Sequence, residues 1–289
     1  MRPTGIMVEG IMTFCRAIAI GFFLSSCTTS LAQETRQHAL ERGAPWQAQI
    51  YTPNTEWNEG DRLGGKEQWE LAHKCGGSLI AAEWVLTAAH CINRKRIENR
   101  YRVRLGVTDL KKQQGVTYVI DRMVRHGGYR DGEHAHDIAV VHLKADELTD
   151  VNASHGRIQP IPLYDGTPLG GGAEVTVTGW GYDEHNRYTR FLNQLDLKVL
   201  NCGDAPAYQG LTTDAMLCAA TSVGDACRGD SGGPLVLTWG QPRLAGIVSW
   251  GKGCDEDGQP GVYTRLDNAH YLDWIRRAMQ ADPSIDTLN

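Results

Sequence analysis

The 289-residue sequence predicts an all-β fold, a barrel or a sandwich, on three observations. Short runs of β-forming residues recur along the chain, separated by Gly, Pro, Asn and Asp turn signals. Helical periodicity is confined to the C-terminus. With 41% hydrophobic and 22% charged residues, the chain can bury enough apolar surface to offset its conformational entropy, which excludes global disorder.

In order, the runs are 46–51, 78–80, 84–87, 101–105, 116–124, 138–143, 174–179, 195–200, 234–238, 243–250 and 261–265. Asp267 or Asn268 can cap a final helix in which Tyr271, Trp274, Ile275 and Ala278 share one face and Arg276 and Arg277 the other. Residues 52–74 are polar and glycine-rich and read as a long surface loop. Residues 155–172 contain Pro160, Pro162, Pro168 and three consecutive glycines, the best candidate for a linker between two halves of similar size. The chain has 29 basic and 34 acidic side chains, a net charge of −5, and no uninterrupted block of five or six Lys/Arg. A nucleic-acid or anionic-membrane partner is therefore not expected.

Residues 17–24 (AIAIGFFL) form an apolar run behind Arg16, followed by small residues, and read as a secretory signal peptide over 1–32. Eight apolar residues fall far short of the ~20 needed for a membrane-spanning helix. Glu9 is unusual in such a leader, so initiation at Met7 or Met12 stays open. Two cleavage readings compete: Ser30-Leu31-Ala32 fits release to the medium or periplasm, and Leu24-Ser25-Ser26-Cys27 resembles a lipoprotein box that would anchor the protein to a membrane through Cys27. Cleavage after Ala32 removes Cys15 and Cys27 and leaves six cysteines, an even number, as a disulfide framework in an oxidising compartment requires. Six cysteines allow fifteen pairings, and no pair has the short C-x₂₋₄-C spacing of a zinc knuckle.

Three motifs supply the residue types of acyl transfer: Thr87-Ala88-Ala89-His90-Cys91 a base, His136-Asp137-Ile138 an orienting carboxylate, and Gly229-Asp230-Ser231-Gly232-Gly233-Pro234 a hydroxyl nucleophile. The first two are weak alone, since such a His is often structural and such an Asp a cap. A serine held between glycines is stronger, because the backbone must turn sharply there and present N–H groups. The order His, Asp, Ser is one of the known orders of the triad.

On these residues, with Cys75-Gly76-Gly77-Ser78, Gly179-Trp180-Gly181, Ser249-Trp250-Gly251 and Pro260-Gly261-Val262-Tyr263, the chain resembles the chymotrypsin/trypsin family of serine endopeptidases over roughly 44–280. The resemblance implies two six-stranded antiparallel β-barrels with a C-terminal α-helix, within one peptidase domain, 33–289. The first barrel would span about 44–158, the second about 159–265 and the helix about 268–280. It implies that Ser231 attacks the scissile carbonyl, His90 carries the proton and Asp137 holds the imidazole, the roles of the general template drawn from this family. Gly229 and Ser231 would supply the oxyanion N–H groups, and a side chain at Gly229 would crowd the substrate carbonyl. Implied disulfides are Cys75–Cys91, Cys202–Cys218 and Cys227–Cys254. Where many relatives carry one more, this chain has Val175 and Leu237, for which an apolar contact is expected.

Asp225 matches the floor of the primary pocket in trypsin-like members, which implies cleavage after Arg or Lys. Ser249, Trp250, Gly251 and Gly261 match its walls, and Ala226 lacks a hydroxyl for a lysine ammonium, so Arg should be favoured. Expected partners are protein or peptide substrates, and the expected state is an exported monomer that needs no cofactor. The family's calcium loop is replaced by Val107, Gln114 and Thr117, with Lys111 and Lys112 beside them, and Pro260 argues against the sodium site of some relatives. His134 and His136 read as loop decoration and not as a metal site. One departure matters: residues 33–44 contain no Ile-Val-Gly-Gly segment to supply the ammonium that Asp230 normally meets. A non-standard N-terminus, a cation such as Arg36 or Arg42, or conditional activity would answer it. The rival reading is a catalytically silent protease-like binding protein.

Overall fold

The computed structural model describes residues 43–53, 62–63, 65–112, 115–145, 158–183, 187–222, 225–253 and 259–289. The predicted leader, Cys15, Cys27 and Cys254 lie outside them. Among the described residues no helix is long and apolar enough to cross a membrane.

Strands β1 (Gln47–Tyr51), β4 (His73–Ala81), β5 (Trp84–Thr87), β6 (Arg102–Leu105), β7 (Val116–His126) and β8 (Ala139–Ala145) form the first barrel. Their order is β7-β6-β1-β4-β5-β8, and pairing of β8 back onto β7 closes it. Closure leaves no unpaired barrel edge. Between β1 and β4 lie the short pair β2 (Arg62–Leu63) and β3 (Lys66–Glu67) and helix α1 (Gln68–Ala72), and helix α2 (Arg94–Glu98) precedes β6. Side chains alternate as the pleat requires: in β6, Val103 and Leu105 are buried while Arg102 and Arg104 face outward.

The second barrel closes from β9 (Glu174–Gly179), β10 (Asn193–Leu200), β11 (Met216–Ala220), β12 (Pro234–Leu237), β13 (Arg243–Trp250) and β14 (Gly261–Arg265). Two successive backbone bonds lead from one barrel to the other: Ile161 N–H donates to Leu79 O and Tyr164 N–H to Leu244 O. Val177, Leu197, Leu217, Leu235 and Tyr263 fill the second interior. Val175 and Leu237 are direct cross-strand partners there, the expected apolar contact.

Helix α3 (Ala269–Gln280) is capped by Asn268, whose side chain accepts from His270 N–H. Although it follows the second barrel, it buries Tyr271, Trp274, Ile275 and Ala278 in the core of the first. The chain then returns as β15 (Thr287–Leu288), parallel to the end of β7.

Six elements differ from the sequence reading: β2, β3, α1, α2, β11 and β15. Helix α1 lies inside the presumed 52–74 loop, held by a capping box between Glu67 and Glu70 and too short to show a period. The MLCAA run of β11 has no β-branched residue, and its strand state comes from burial between β10 and β14. β15 is two residues long and has no local signature.

Candidate active site

His90 stands in a 3₁₀ turn, residues 89–91, that ends β5. Its main-chain N–H donates to Asp137 Oδ1 at 2.9 Å and its Nδ1 lies 2.7 Å from Oδ2. With a carboxylate as acceptor, Nδ1 carries the proton and Nε2 keeps its lone pair toward the cleft. Asp137 is 3% exposed. Burial alone would raise its pKa, but hydrogen bonds from His90 and from Ser249 outweigh that and hold the carboxyl below its usual value. Ser249 Oγ donates to Oδ2 at 2.6 Å, and Thr264 Oγ1 donates to the Asp137 carbonyl at 2.8 Å. The second barrel thus grips a carboxylate that the first barrel presents.

The residue before it is in the left-handed region, His136 at φ 55°, a conformation costly for a non-glycine. It is held there by stacking on His126 at 4.5 Å and by a 2.9 Å contact between its Nδ1 and Tyr271 OH. His134, the other loop histidine, stacks on Trp250 at 4.2 Å and joins this loop to the second barrel.

The Ser231 turn is built from backbone. Gly232 (φ 78°) donates to Val248 O, Gly233 N–H to Asp230 O, and Gly76 N–H in β4 to Ser231 O at 2.8 Å. A Cβ on Gly232 would run into Thr87 Oγ1 and lie 2.6 Å from Gly76 O. Cys91 Sγ, disulfide-bonded to Cys75, sits 3.6 Å from both His90 Nε2 and Ser231 O. The bridge therefore brings the base and the serine turn side by side. Among the described residues Ser231 Oγ has no hydrogen bond to His90, an approach that often tightens only when substrate is bound.

Gly229 has φ 101°, which alone calls for glycine. A Cβ there would meet the Tyr188 ring at 2.5 Å and Gly181 Cα at 3.1 Å, so its crowding falls on the protein itself. Its carbonyl is held 2.9 Å from Nε2 of buried His73. A carbonyl accepts only, so that nitrogen donates, and His73 fixes the peptide that precedes Asp230. Among the described residues neither Gly229 N–H nor Ser231 N–H donates to another backbone carbonyl, leaving both available to an oxyanion. Asp230 accepts from Gly181 N–H at 2.7 Å and Cys227 N–H at 3.0 Å.

Asp225 is half-buried, and one cavity reaches both it and Asp230, with Gly179, Gly181, Tyr182 and Gln194 in its lining. Burial and then the charge of Asp225 push the Tyr263 phenol far up. Trp250 pairs with Val262, and a bulge between Val248 and Trp250 frees Ser249 to turn its hydroxyl to Asp137. Gly251 lies 3.9 Å, by its would-be Cβ, from Gly261 Cα and Tyr208 Oη. Ala226 is half-buried beside Asp225, against the second-barrel core.

Cys202–Cys218 is formed, and Cys227 is disulfide-bonded. Among the described residues the one trio of candidate metal ligands within mutual reach is Cys75, His90 and Cys91, whose sulfurs are committed to their bridge. Val107, expected to replace a calcium ligand, is buried with Leu110, Trp180 and Leu192, no environment for a hard cation; Gln114 lies outside the described residues.

Sequence reasoning missed His73, Thr264 and Tyr188, and it gave Ser249 a pocket role without its bond to Asp137. Each acts across 41 to 156 residues of sequence and none has a local signature.

A family model described as Trypsin matches residues 34–275. Trypsin I-P1 of Gallus gallus is 38% identical over 218 residues, covering 73% of this chain and 81% of that protein. Tissue-type plasminogen activator of Bos taurus is 34% identical over 249 residues, covering 80% and 42%, and transmembrane protease serine 11G of Mus musculus is 35% identical over 217, covering 72% and 50%. The chain thus spans half or less of the length of those two relatives. Among solved structures, mouse neuropsin, a serine protease expressed in the limbic system, aligns with a TM-score of 0.63 and 33% identity, covering 82% of this chain and 95% of that one.

Proposed function

Because the chain belongs to the trypsin family of serine proteases, we propose that it is an exported endopeptidase cutting after Arg, and less readily after Lys, through His90, Asp137 and Ser231. The two-point hold of Asp137 on His90, at 2.9 and 2.7 Å, is the observation that carries this reading. It fixes the tautomer in which Nε2 can take the Ser231 proton as Oγ adds to the scissile carbonyl. The imidazolium so formed is stabilised by the buried carboxylate and returns the proton to the leaving amine. Gly229 and Ser231 N–H would meet the oxyanion, donors worth about 3–4 kcal/mol each in such sites. Water then attacks the acyl-enzyme with His90 again as base.

Asp225 supports the choice of a cationic side chain, since a carboxylate among Tyr208, Tyr263 and apolar walls gains most from a charged partner. The Ser249–Gly251 strand end and Gly261 would line the path to it, and Ala226 offers no hydroxyl to a lysine ammonium.

Labelling with a fluorophosphonate, before and after Ser231→Ala, tests the chemistry: the unaltered protein should label and the variant should not. An unlabelled, folded protein would support the silent binding scaffold instead. A peptide-library profile tests the pocket, with Asp225→Ser expected to move cleavage away from Arg; an unchanged Arg preference would refute Asp225 as its floor.

A further inference from the structure

The segment that follows His90 has a charge unlike the rest of the chain. Residues 94–104 hold six basic side chains, Arg94, Lys95, Arg96, Arg100, Arg102 and Arg104, against the single acid Glu98, in a protein of net charge −5. Two of them serve the fold. Arg94 pairs with Asp286, and Arg96 donates to the His90 carbonyl. Lys95 is exposed in the first turn of α2 and Arg100 two residues past its end, where it is held at φ 62°. Arg104 faces outward on β6, its guanidinium 4.4 Å over the Tyr51 ring, which fixes it without neutralising it. Among the described residues none of Lys95, Arg100 and Arg104 has an ion pair.

We propose that this ridge is a docking surface for an acidic run of the protein substrate, located several residues beyond the scissile bond on the leaving-group side. The assignment rests on the peptidase reading above. In that reading His90 hands its proton to the leaving amine, so the departing segment passes on the flank of the cleft that carries His90. The ridge starts four residues after His90, and Arg96 ties it to the His90 main chain. Three cations without an ion pair among the described residues, one on a short helix, one in the turn after it and one on a strand, suit a short run of carboxylates, and arginine forks bind carboxylates in bidentate geometry.

The experiment compares two peptides identical up to the scissile Arg, one followed at a distance by four acidic residues and the other by four serines. The unaltered protein should cut the acidic peptide with a roughly three- to ten-fold higher kcat/KM at low salt, as a few exposed charge pairs supply. In about 1 M salt, where screening acts within about 3 Å, the preference should vanish. Lys95→Glu/Arg100→Glu should abolish or reverse it and leave hydrolysis of an Arg anilide, which has no leaving peptide, unchanged. No preference in the unaltered protein, or a preference that survives the double substitution, overturns the proposal. So does a ridge that responds only to a sulfated polysaccharide and not to acidic peptides. If the double variant does not fold, the salt series on the unaltered protein decides. If the anilide is not cut at all, the peptidase reading fails separately, and anisotropy of the acidic peptide against the serine peptide still reads the ridge.

Discussion

Lowering the pH should weaken the fold through His73 by an amount the site geometry sets. His73 is 1% exposed, its Nε2–H is given to Gly229 O, and burial lowers its pKa from 6.5 to about 4. The native protein therefore keeps the ring neutral while the unfolded chain protonates it near 6.5. Stability from this group is present in full above pH 6.5 and is lost as pH falls toward 4. Between pH 7.5 and 5 the unfolded chain gains almost a full proton at His73 and the native state about a tenth, a loss of about 2 kcal/mol. His126, also lowered to about 4 by burial and by His136 and His270, acts in the same direction. The contribution of His73 is isolated by His73→Gln, whose amide can donate to Gly229 O but does not titrate. Urea unfolding at pH 7.5 and 5, in a Ser231→Ala background that prevents self-cleavage, should show the parent losing about 2 kcal/mol more than the Gln variant. Equal losses would refute the argument that a buried neutral imidazole holds this peptide.

Other outcomes follow from the same packing. Gly232→Ala must hold an alanine at φ 78° against Thr87 and the Gly76 carbonyl, so unfolding free energy should fall by at least about 2 kcal/mol, measured by denaturant titration. Val175→Cys/Leu237→Cys places two thiols at directly paired positions of β9 and β12. Closing that loop should raise stability by about 4 kcal/mol in the chain-entropy treatment, read as a higher melting temperature that reductant reverses. Ser249→Ala removes one side-chain donor from buried Asp137 and should lower kcat about ten-fold with little change in KM, a hydrogen bond to a charge being worth about 1.5 kcal/mol.

The β architecture was legible because short strands are separated by marked turns, and its division into two barrels because the motifs resemble a known family; β1, β9, β13 and β14 are buried along most of their length, and burial alternates in β6 and β10. Val103 and Leu105 against Arg102 and Arg104 is the pattern in miniature. The pairing of His90 with Asp137 was legible from the order His, Asp, Ser and from the stronger Ser231 motif, since the first two motifs are weak alone. What stayed hidden depends on closure in three dimensions. His73 reaches Gly229 across 156 residues, and Thr264 reaches the Asp137 carbonyl across 127, so no window of sequence contains both partners. β11 was hidden for a different reason, since Met216, Leu217, Cys218, Ala219 and Ala220 include no β-branched or aromatic residue to mark a strand.

The return of the chain as β15 braces the first barrel from beyond α3. Arg125 N–H donates to Asp286 O, Gly127 N–H to Leu288 O and Trp274 Nε1 to Leu288 O, so the final residues clamp the far end of β7. That end carries His126, the ring on which His136 stacks immediately before Asp137. The loop that aims the carboxylate at His90 therefore rests on a two-residue strand far from it in sequence, and a change confined to 286–288 would reach Asp137 through His126 and His136.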